Sequence, residues 1–349
     1  MRCTLFGRTG LRVSELALGA MTLGRHESGH AAVRETSGRI LDAYLEAGGN
    51  FLDTADVYAG GTSETVLGEL LGDRRDALVL ASKYTCATRP GDVNSGGNHR
   101  KNLVQSVEAS LRRLRTDRLD VLWVHARDNF TPVEEVMRAL DDLVRSGKVL
   151  YVGVSDWPAW EIAQASTVAE LRGWTTFTGS QLRYSLLERT PERELLPQAR
   201  AFDQAVFAWS PLARGRLTGG RGQEEAVAGR PDEAELRARE TVRAVVEIAR
   251  DGGWSPAAVA LAWLRRRPGN IVPILGPSTP DQLTDALGCL EVKLDVDAVD
   301  RLDTVSRVPL GFPHDFLQDE AVRETVYGDR WTVIEDRRST YRRTTTGML

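Results

Sequence analysis

A chain of 349 residues, 42% of them hydrophobic, is long enough for two ordinary domains or one large α/β barrel. Its formal charge of -4 offers no general attraction for nucleic acid or an anionic membrane, and no apolar run is long enough to span a bilayer. Cys3, Cys86 and Cys289 are too few and too scattered for a disulfide framework or a zinc site, and Met1–Gly7 lacks the apolar run of a signal peptide, so the cytoplasm is the expected location.

Short runs rich in β-branched or aromatic residues recur along the chain, most followed by a helical pattern. Gly7 and Gly10, between short runs, predict an N-terminal hairpin. Leu16-Ala17-Leu18 predicts the next strand, and further strands start near 50, 78, 120, 149, 176, 205 and 271. Leu103, Val107, Leu111 and Leu114 outline one helical face. Thr131-Pro132-Val133-Glu134 predicts a capping box with proline at the first helical position, and Gly147 a C-terminal stop. Ser255-Pro256 predicts the start of the helix before the last strand. Alternating β and α units of this number predict an α/β fold, a (β/α)8 TIM barrel over about 14–306 within a single domain of 1–349. Stretches 20–32, 84–100 and 211–235 lack periodicity and follow strands, so they are expected as long loops at the C-terminal mouth. The tail 307–349 is placed where it can cover that mouth.

Chemistry concentrates at three strand ends. Asp53-Thr54-Ala55-Asp56-Val57-Tyr58 follows Asn50-Phe51-Leu52, Lys83 follows Leu78–Ser82, and His125 follows Val121–Val124. On parallel strands these residues converge on one face. A carboxylate, an ammonium and an imidazole around a phenol make a proton donor. Lysine occurs only at Lys83, Lys101, Lys148 and Lys293, so surface lysines do not crowd the search.

Asp53-x-Ala55-x-x-Tyr58 with Lys83 and His125 resembles the catalytic tetrad of the aldo-keto reductases. The resemblance continues through Gly153-Val154-Ser155-Asp156, Gln181-x-x-Tyr184-Ser185-Leu186, Trp209-Ser210-Pro211-Leu212 and Gly276-x-Ser278-Thr279-Pro280-x-Gln282-Leu283, in family order over about 4–306. Ser155–Trp160 and Trp209-Ser210 make the chain more similar to the bacterial and potassium-channel-β-subunit-like branch. Gly311–Phe316 resembles actinobacterial natural-product ketoreductases. The resemblance implies an NADP(H)-dependent reduction of a ketone or aldehyde, with NAD left open, and the substrate expected is a polyketide or deoxysugar ketone. Tyr58 is then the acid. A free phenol has a pKa near ~10, and the Lys83 ammonium is expected to lower it toward the working pH. Asp53 is expected to keep Lys83 charged and aimed, and His125 to orient the carbonyl; no metal is needed.

The resemblance assigns coenzyme contacts to Ser155, Asp156 and Gln181 at the carboxamide and to Trp209 beneath the nicotinamide. It assigns Ser210, Leu212 and Gly215 to the diphosphate path, and Ser278 and Gln282 to the adenosine end at a helix N-terminus. Asp156 stands where the family often has Asn, Ala286 where it has Asn or Glu, and Gly220 where a lysine is common. Arg214, Arg216 or Arg221 is expected to supply the missing cation.

Simpler readings stand beside these. Asp156 N-caps the next helix, Gln282 belongs to the capping box Thr279-Pro280-Asp281-Gln282, and Trp209 is barrel packing. Tyr84, His26 and His314 are substrate-contact candidates, and Arg337, Arg338, Arg342 and Arg343 form a solvated tail. The expected partner is a small-molecule carbonyl, with no nucleic acid or membrane, and self-association into a homo-oligomer is left open. A cofactor-binding regulatory subunit like the potassium-channel β-subunits is the alternative function. A Rossmann dehydrogenase is disfavoured, since no G-x-G-x-x-G follows the first strand.

Overall fold

Residues two apart on a strand share a face, and that alternation sorts the apolar residues of this chain into two cores. The computed structural model describes residues 1–24, 29–219 and 232–333. Eight strands close into a parallel barrel: β3 (Ala17–Gly19), β4 (Phe51–Asp53), β5 (Val79–Tyr84), β6 (Leu119–Val124), β7 (Val149–Ser155), β8 (Gly179–Arg183), β9 (Ala205–Trp209) and β10 (Ile271–Leu275), with β10 pairing back onto β3. Phe51, Val79, Ala81, Val121, Trp123, Ala205, Phe207 and Val272 fill the inside. Their neighbours Leu52, Leu80, Leu122, Val152 and Val154 face outward and bury the surrounding helices. These include α1 (Gly29–Glu46), α2 (Thr62–Leu71), α3 (Arg100–Leu114), α4 (Val133–Arg145), α5 (Ala159–Arg172), α6 (Leu195–Ala201), α7 (Glu233–Gly252), α8 (Pro256–Arg265), α9 (Pro280–Leu287) and α10 (Val296–Val305). None of the described helices is long and apolar enough to cross a membrane.

The predicted hairpin is present as β1 (Cys3–Leu5) and β2 (Arg12–Ser14). Its turn plugs the barrel floor. Phe6 is fully buried, with ring centroids 5.7 to 6.3 Å from those of Phe207, Trp123, Tyr151 and Phe51. Gly7 has φ +57°, and a Cβ there would lie 2.3 Å from the Thr178 carbonyl oxygen, so only glycine lets the turn seat this closely. Gly153 makes room inside the barrel for the Trp123 indole in the same way.

Three local expectations need correction. The sixth barrel strand begins at Gly179 rather than 176, because Phe177 packs into the helical shell and Thr178 spends both its N–H and its hydroxyl on the Val152 carbonyl. The capping box before α4 does not form. Pro132 takes the N-cap position, which has no side-chain donor or acceptor, and the Thr131 hydroxyl donates to Asp128 instead. Helix α4 keeps only the favourable dipole interaction of Glu134 and Glu135 in its first turn. Asp156 is no N-cap either: α5 starts at Ala159 behind Pro158. The Ser255 cap of α8 and the left-handed Gly147 after α4 are as expected.

Beyond α10 the chain forms α11 (His314–Gln318) and α12 (Glu320–Tyr327). Arg193 donates to the Pro309 carbonyl and His314 Nε2 lies 2.9 Å from Glu194, so this segment is tied to the loop after β8. Arg337, Arg338, Arg342 and Arg343 lie outside the described residues.

Candidate active site

Parallel strands put all their C-terminal ends at one mouth, and the inward face at that end carries Asp53 on β4, Lys83 on β5, Ser155 on β7, Gln181 on β8 and Trp209 on β9. His125 follows β6 on the same parity, and its N–H is fixed to the Tyr84 carbonyl at 2.9 Å. Tyr58 comes from the turn after β4. That turn is pinned to β5 by the Thr54 and Asp56 N–H groups, which donate to the Ala81 and Lys83 carbonyls.

Lys83 is 1% exposed, and its ammonium donates to Asp53 Oδ2 at 2.5 Å and to the Thr54 carbonyl at 2.8 Å. The other carboxylate oxygen of Asp53 accepts from Gln181 Nε2 at 3.0 Å. Lys83 Nζ lies 4.7 Å from the centroid of the Tyr58 ring, and Tyr58 meets His125 edge-on at 5.8 Å. The four residues singled out from the sequence therefore meet at one end of the barrel.

Their protonation differs from expectation at one point. Burial pulls the Lys83 ammonium down, but Asp53 and Tyr58 outweigh it and hold the group above its ordinary value. Burial pushes the Tyr58 phenol up, and the Lys83 charge that would lower it is offset by Asp53, so the phenol sits above its usual value rather than below it. Burial is the main reason, and the Asp53 carboxylate, bonded to the ammonium at 2.5 Å, takes back part of what Lys83 contributes. Burial first, then Lys83, brings His125 down to about 3, which leaves a neutral imidazole. Cys86 Sγ lies 3.7 Å from His125 Nδ1, and burial pushes its thiol up, so it is an S–H donor. When the thiol donates to Nδ1, the other ring nitrogen, Nε2, carries the N–H. Cys86 was not singled out from the sequence, although its position three residues beyond Lys83 was visible.

Around Trp209 the predicted coenzyme contacts gather. The indole N–H donates to Asp156 Oδ1 at 3.1 Å. Burial raises the Asp156 carboxyl, against the pull of the indole N–H. Ser155 and Gln181 are buried beside it. Arg183, directly across from Trp209 in the β8–β9 register, places its guanidinium 5.8 Å from the indole centroid. Its place two residues beyond Gln181 was the available signal for it.

After Trp209 the backbone turns left-handed at Ser210, Ala213, Arg214 and Gly215, with φ between +49° and +90°. Non-glycine residues in that region cost about 1–3 kcal/mol each and cluster at ligand clamps. Leu212, the acceptor of the Gly215 N–H, lies within this run. Arg216 is held by Glu235, whereas Arg214 is exposed and has no ion-pair partner among the described residues. Arg221 lies outside the described residues. At the start of α9, Thr279 accepts from the Gln282 N–H and Gln282 Oε1 accepts from the Ser278 N–H at 2.7 Å. The capping reading of Gln282 is thus realised, and Ser278 is held beside it. Ala286 is buried in the helical shell.

One substrate-contact expectation fails, and a second candidate residue is engaged by a neighbouring carboxylate. Tyr84 points outward from β5, fully buried, with its hydroxyl near the Asn98 carbonyl, because its parity is opposite to that of Lys83. His314 is paired with Glu194 in the C-terminal segment. His26 lies outside the described residues.

The family model described as "Aldo/keto reductase family" matches residues 15–307. The chain is 38% identical over 317 residues to the norsolorinic acid reductase stcV of Emericella nidulans, covering 88% of this chain and 82% of that protein. It is 37% identical over 327 residues to the aldo-keto reductase ausK of Aspergillus calidoustus, covering 88% and 82%. The Bacillus subtilis oxidoreductase YrpG, described as uncharacterized, is 36% identical over 325 residues, covering 89% and 98%.

Proposed function

The chain belongs to the aldo/keto reductase family, and from that premise we propose that it is an NADPH-dependent reductase that converts a ketone or aldehyde to an alcohol. The observation that carries the reading is a protonated phenol, Tyr58, set between a buried Lys83–Asp53 pair and a neutral imidazole at one barrel mouth.

The residues near Trp209 fit a nicotinamide coenzyme. A half-buried indole, buried amide and hydroxyl groups at Gln181 and Ser155, and a strained left-handed run after Trp209 make a polar path that suits such a ligand. A reduced nicotinamide bound there supplies the hydride. Gln181 keeps Oε1 for the carboxamide while its Nε2 holds Asp53. Ser155, Asp156, Gln181 and Trp209 would hold the nicotinamide, Ser210, Leu212 and Gly215 the diphosphate, and Ser278 and Gln282 the adenosine end.

His125 donates Nε2–H to the carbonyl oxygen and positions it against the Tyr58 hydroxyl. As negative charge develops on that oxygen, Tyr58 hands over its proton, and the fixed Lys83 ammonium stabilises the phenolate left behind. An elevated resting phenol suits this role, because the acid form is fully present at neutral pH. Replacing Cys86 by Ala frees both imidazole tautomers, and kcat/KM for the carbonyl is expected to fall by up to about tenfold, the worth of one modest hydrogen bond. Unchanged kcat/KM in steady-state assays would remove Cys86 from the account.

The similarity to a norsolorinic acid reductase supports a ketone from natural-product biosynthesis, of the polyketide or deoxysugar kind, as the substrate class. The test is coenzyme consumption with a panel of aromatic and aliphatic carbonyls, using NADPH and NADH in parallel. Reduction with a lower KM for NADPH is expected, and Arg214→Ala should raise the KM for NADPH several-fold, about 1 kcal/mol, and leave that for NADH unchanged. Equal affinity for the two coenzymes would defeat the NADPH preference. Tight coenzyme binding without turnover on any carbonyl would move the reading to a regulatory subunit.

A further inference from the structure

Behind the proton donor lies a carboxyl that the reaction does not use. Asp56 is 2% exposed, and neither of its oxygens has a hydrogen-bond partner. Its own backbone N–H donates to the Lys83 carbonyl at 3.2 Å, and two residues later the Tyr58 N–H closes the turn onto the Ala55 carbonyl at 3.2 Å. Any movement of Asp56 is therefore passed to the segment that carries the Tyr58 phenol.

The groups facing Asp56 from each packed element leave it no counter-charge of its own: Arg113, whose charge draws its carboxyl down, is paired with Glu64. Glu64, fully buried on α2, takes the guanidinium of Arg113 from α3 in an ion pair of 2.6 Å and accepts from Ser82 of β5 at 2.5 Å. The Ser106 hydroxyl, which donates to Asn102 Oδ1 at 3.4 Å, also faces Asp56 from α3 and, with the Val57 N–H, draws its carboxyl down without offsetting burial. From β5 and the loop after it come Lys83, whose ammonium is spent on Asp53 and Thr54, and the uncharged thiol of Cys86. Two buried carboxyls thus share one guanidinium, and Glu64 holds it. A second buried carboxylate without a partner is strongly disfavoured, so Asp56 rests as the neutral acid.

We infer that Asp56 is a proton-linked positioning residue: as a neutral acid it lets the Ala55–Tyr58 turn pack against β5, and its ionisation beside Glu64 displaces that turn and lowers turnover. Burial first, then Glu64, pushes its carboxyl up to about 7 from an ordinary 3.8, which places the change near neutral pH. The sign follows from linkage. Between those two values the folded state binds the proton and the unfolded state does not, so wild-type stability falls as pH rises through the window.

The inference rests on the reductase reading for its kinetic part only. Thermal unfolding of wild type and Asp56→Asn from pH 5 to pH 8 is read first, because it needs no activity. Relative to its difference from wild type at pH 5, the variant is expected to melt progressively higher as pH rises to about 7 and to keep that gain above it. A melting difference that does not change with pH overturns the inference. Wild-type kcat at saturating coenzyme and carbonyl should fall about tenfold from pH 6 to pH 8, while Asp56→Asn stays flat. Should the expected melting pattern come with superimposable kcat profiles, Asp56 is a buried neutral acid without hold on Tyr58, and the positioning role is overturned. Asp56→Ala, which also removes the acid, should follow Asp56→Asn in pH dependence; a wild-type profile in that variant counts against the inference. Absence of carbonyl reduction by the wild type defeats the reductase reading and leaves the melting comparison intact.

Discussion

Tyr58→Phe is expected to lower carbonyl reduction by about 10²–10⁴-fold, the usual worth of a positioned general acid, with coenzyme affinity retained. The substitution is clean because the ring contacts survive. Phenylalanine still lies beside Lys83 and still meets the His125 edge, so only the hydroxyl is lost. Trp209 and the left-handed run after it belong to a different strand and loop, so the proposed coenzyme path is untouched. Reduction should fall in kcat rather than KM, since the proton is needed only as charge develops on oxygen. Fluorescence titration with NADPH and steady-state kinetics on the same preparation check both halves. A Tyr58→Phe enzyme with wild-type kcat contradicts the mechanism.

Lys83→Met should lose turnover and, unlike Tyr58→Phe, should also lose stability. The pair is almost completely buried, with Lys83 at 1% and Asp53 at 3% exposure. Removing the ammonium leaves the Asp53 carboxylate with Gln181 as its side-chain partner, and breaking a buried pair this way costs about 3–5 kcal/mol. Asp53→Asn in the Lys83→Met background should recover part of that loss in urea unfolding, because no unpaired charge remains, and should recover no activity. Wild-type stability in Lys83→Met would show that the pair is not the buried anchor its geometry describes.

The strand ends made this site readable. A period of two places Asp53, Lys83, His125, Ser155, Gln181 and Trp209 on inward positions at the same ends, so the barrel and its mouth follow from the apolar pattern. The same parity explains a miss, for Tyr84 is one residue off Lys83 and so faces the helices. It also flags Arg183, two residues beyond Gln181, which composition alone does not distinguish from the many other arginines. What could not be read from spacing depends on through-space distances. The phenol lies above its ordinary value because Asp53 is bonded to Lys83 and burial dominates. The Cys86–His125 contact joins residues 39 apart, and Asp56 is unpartnered only because Glu64 has taken Arg113. Helix starts were misread at Thr131 and Asp156 for a local reason: Pro132 and Pro158 take the N-cap position, one and two residues after the polar side chains expected there.

The central claim is that this mouth transfers a hydride to a carbonyl carbon and a proton from Tyr58 to its oxygen. It is tested most directly by reducing an aromatic ketone with NADPH deuterated at the transferred position and analysing the product by mass spectrometry. The account predicts one deuterium on the carbinol carbon in wild type, in a one-to-one ratio with coenzyme oxidised, and almost none formed in the same time by Tyr58→Phe. Coenzyme that stays reduced, or product that carries no deuterium, would contradict it.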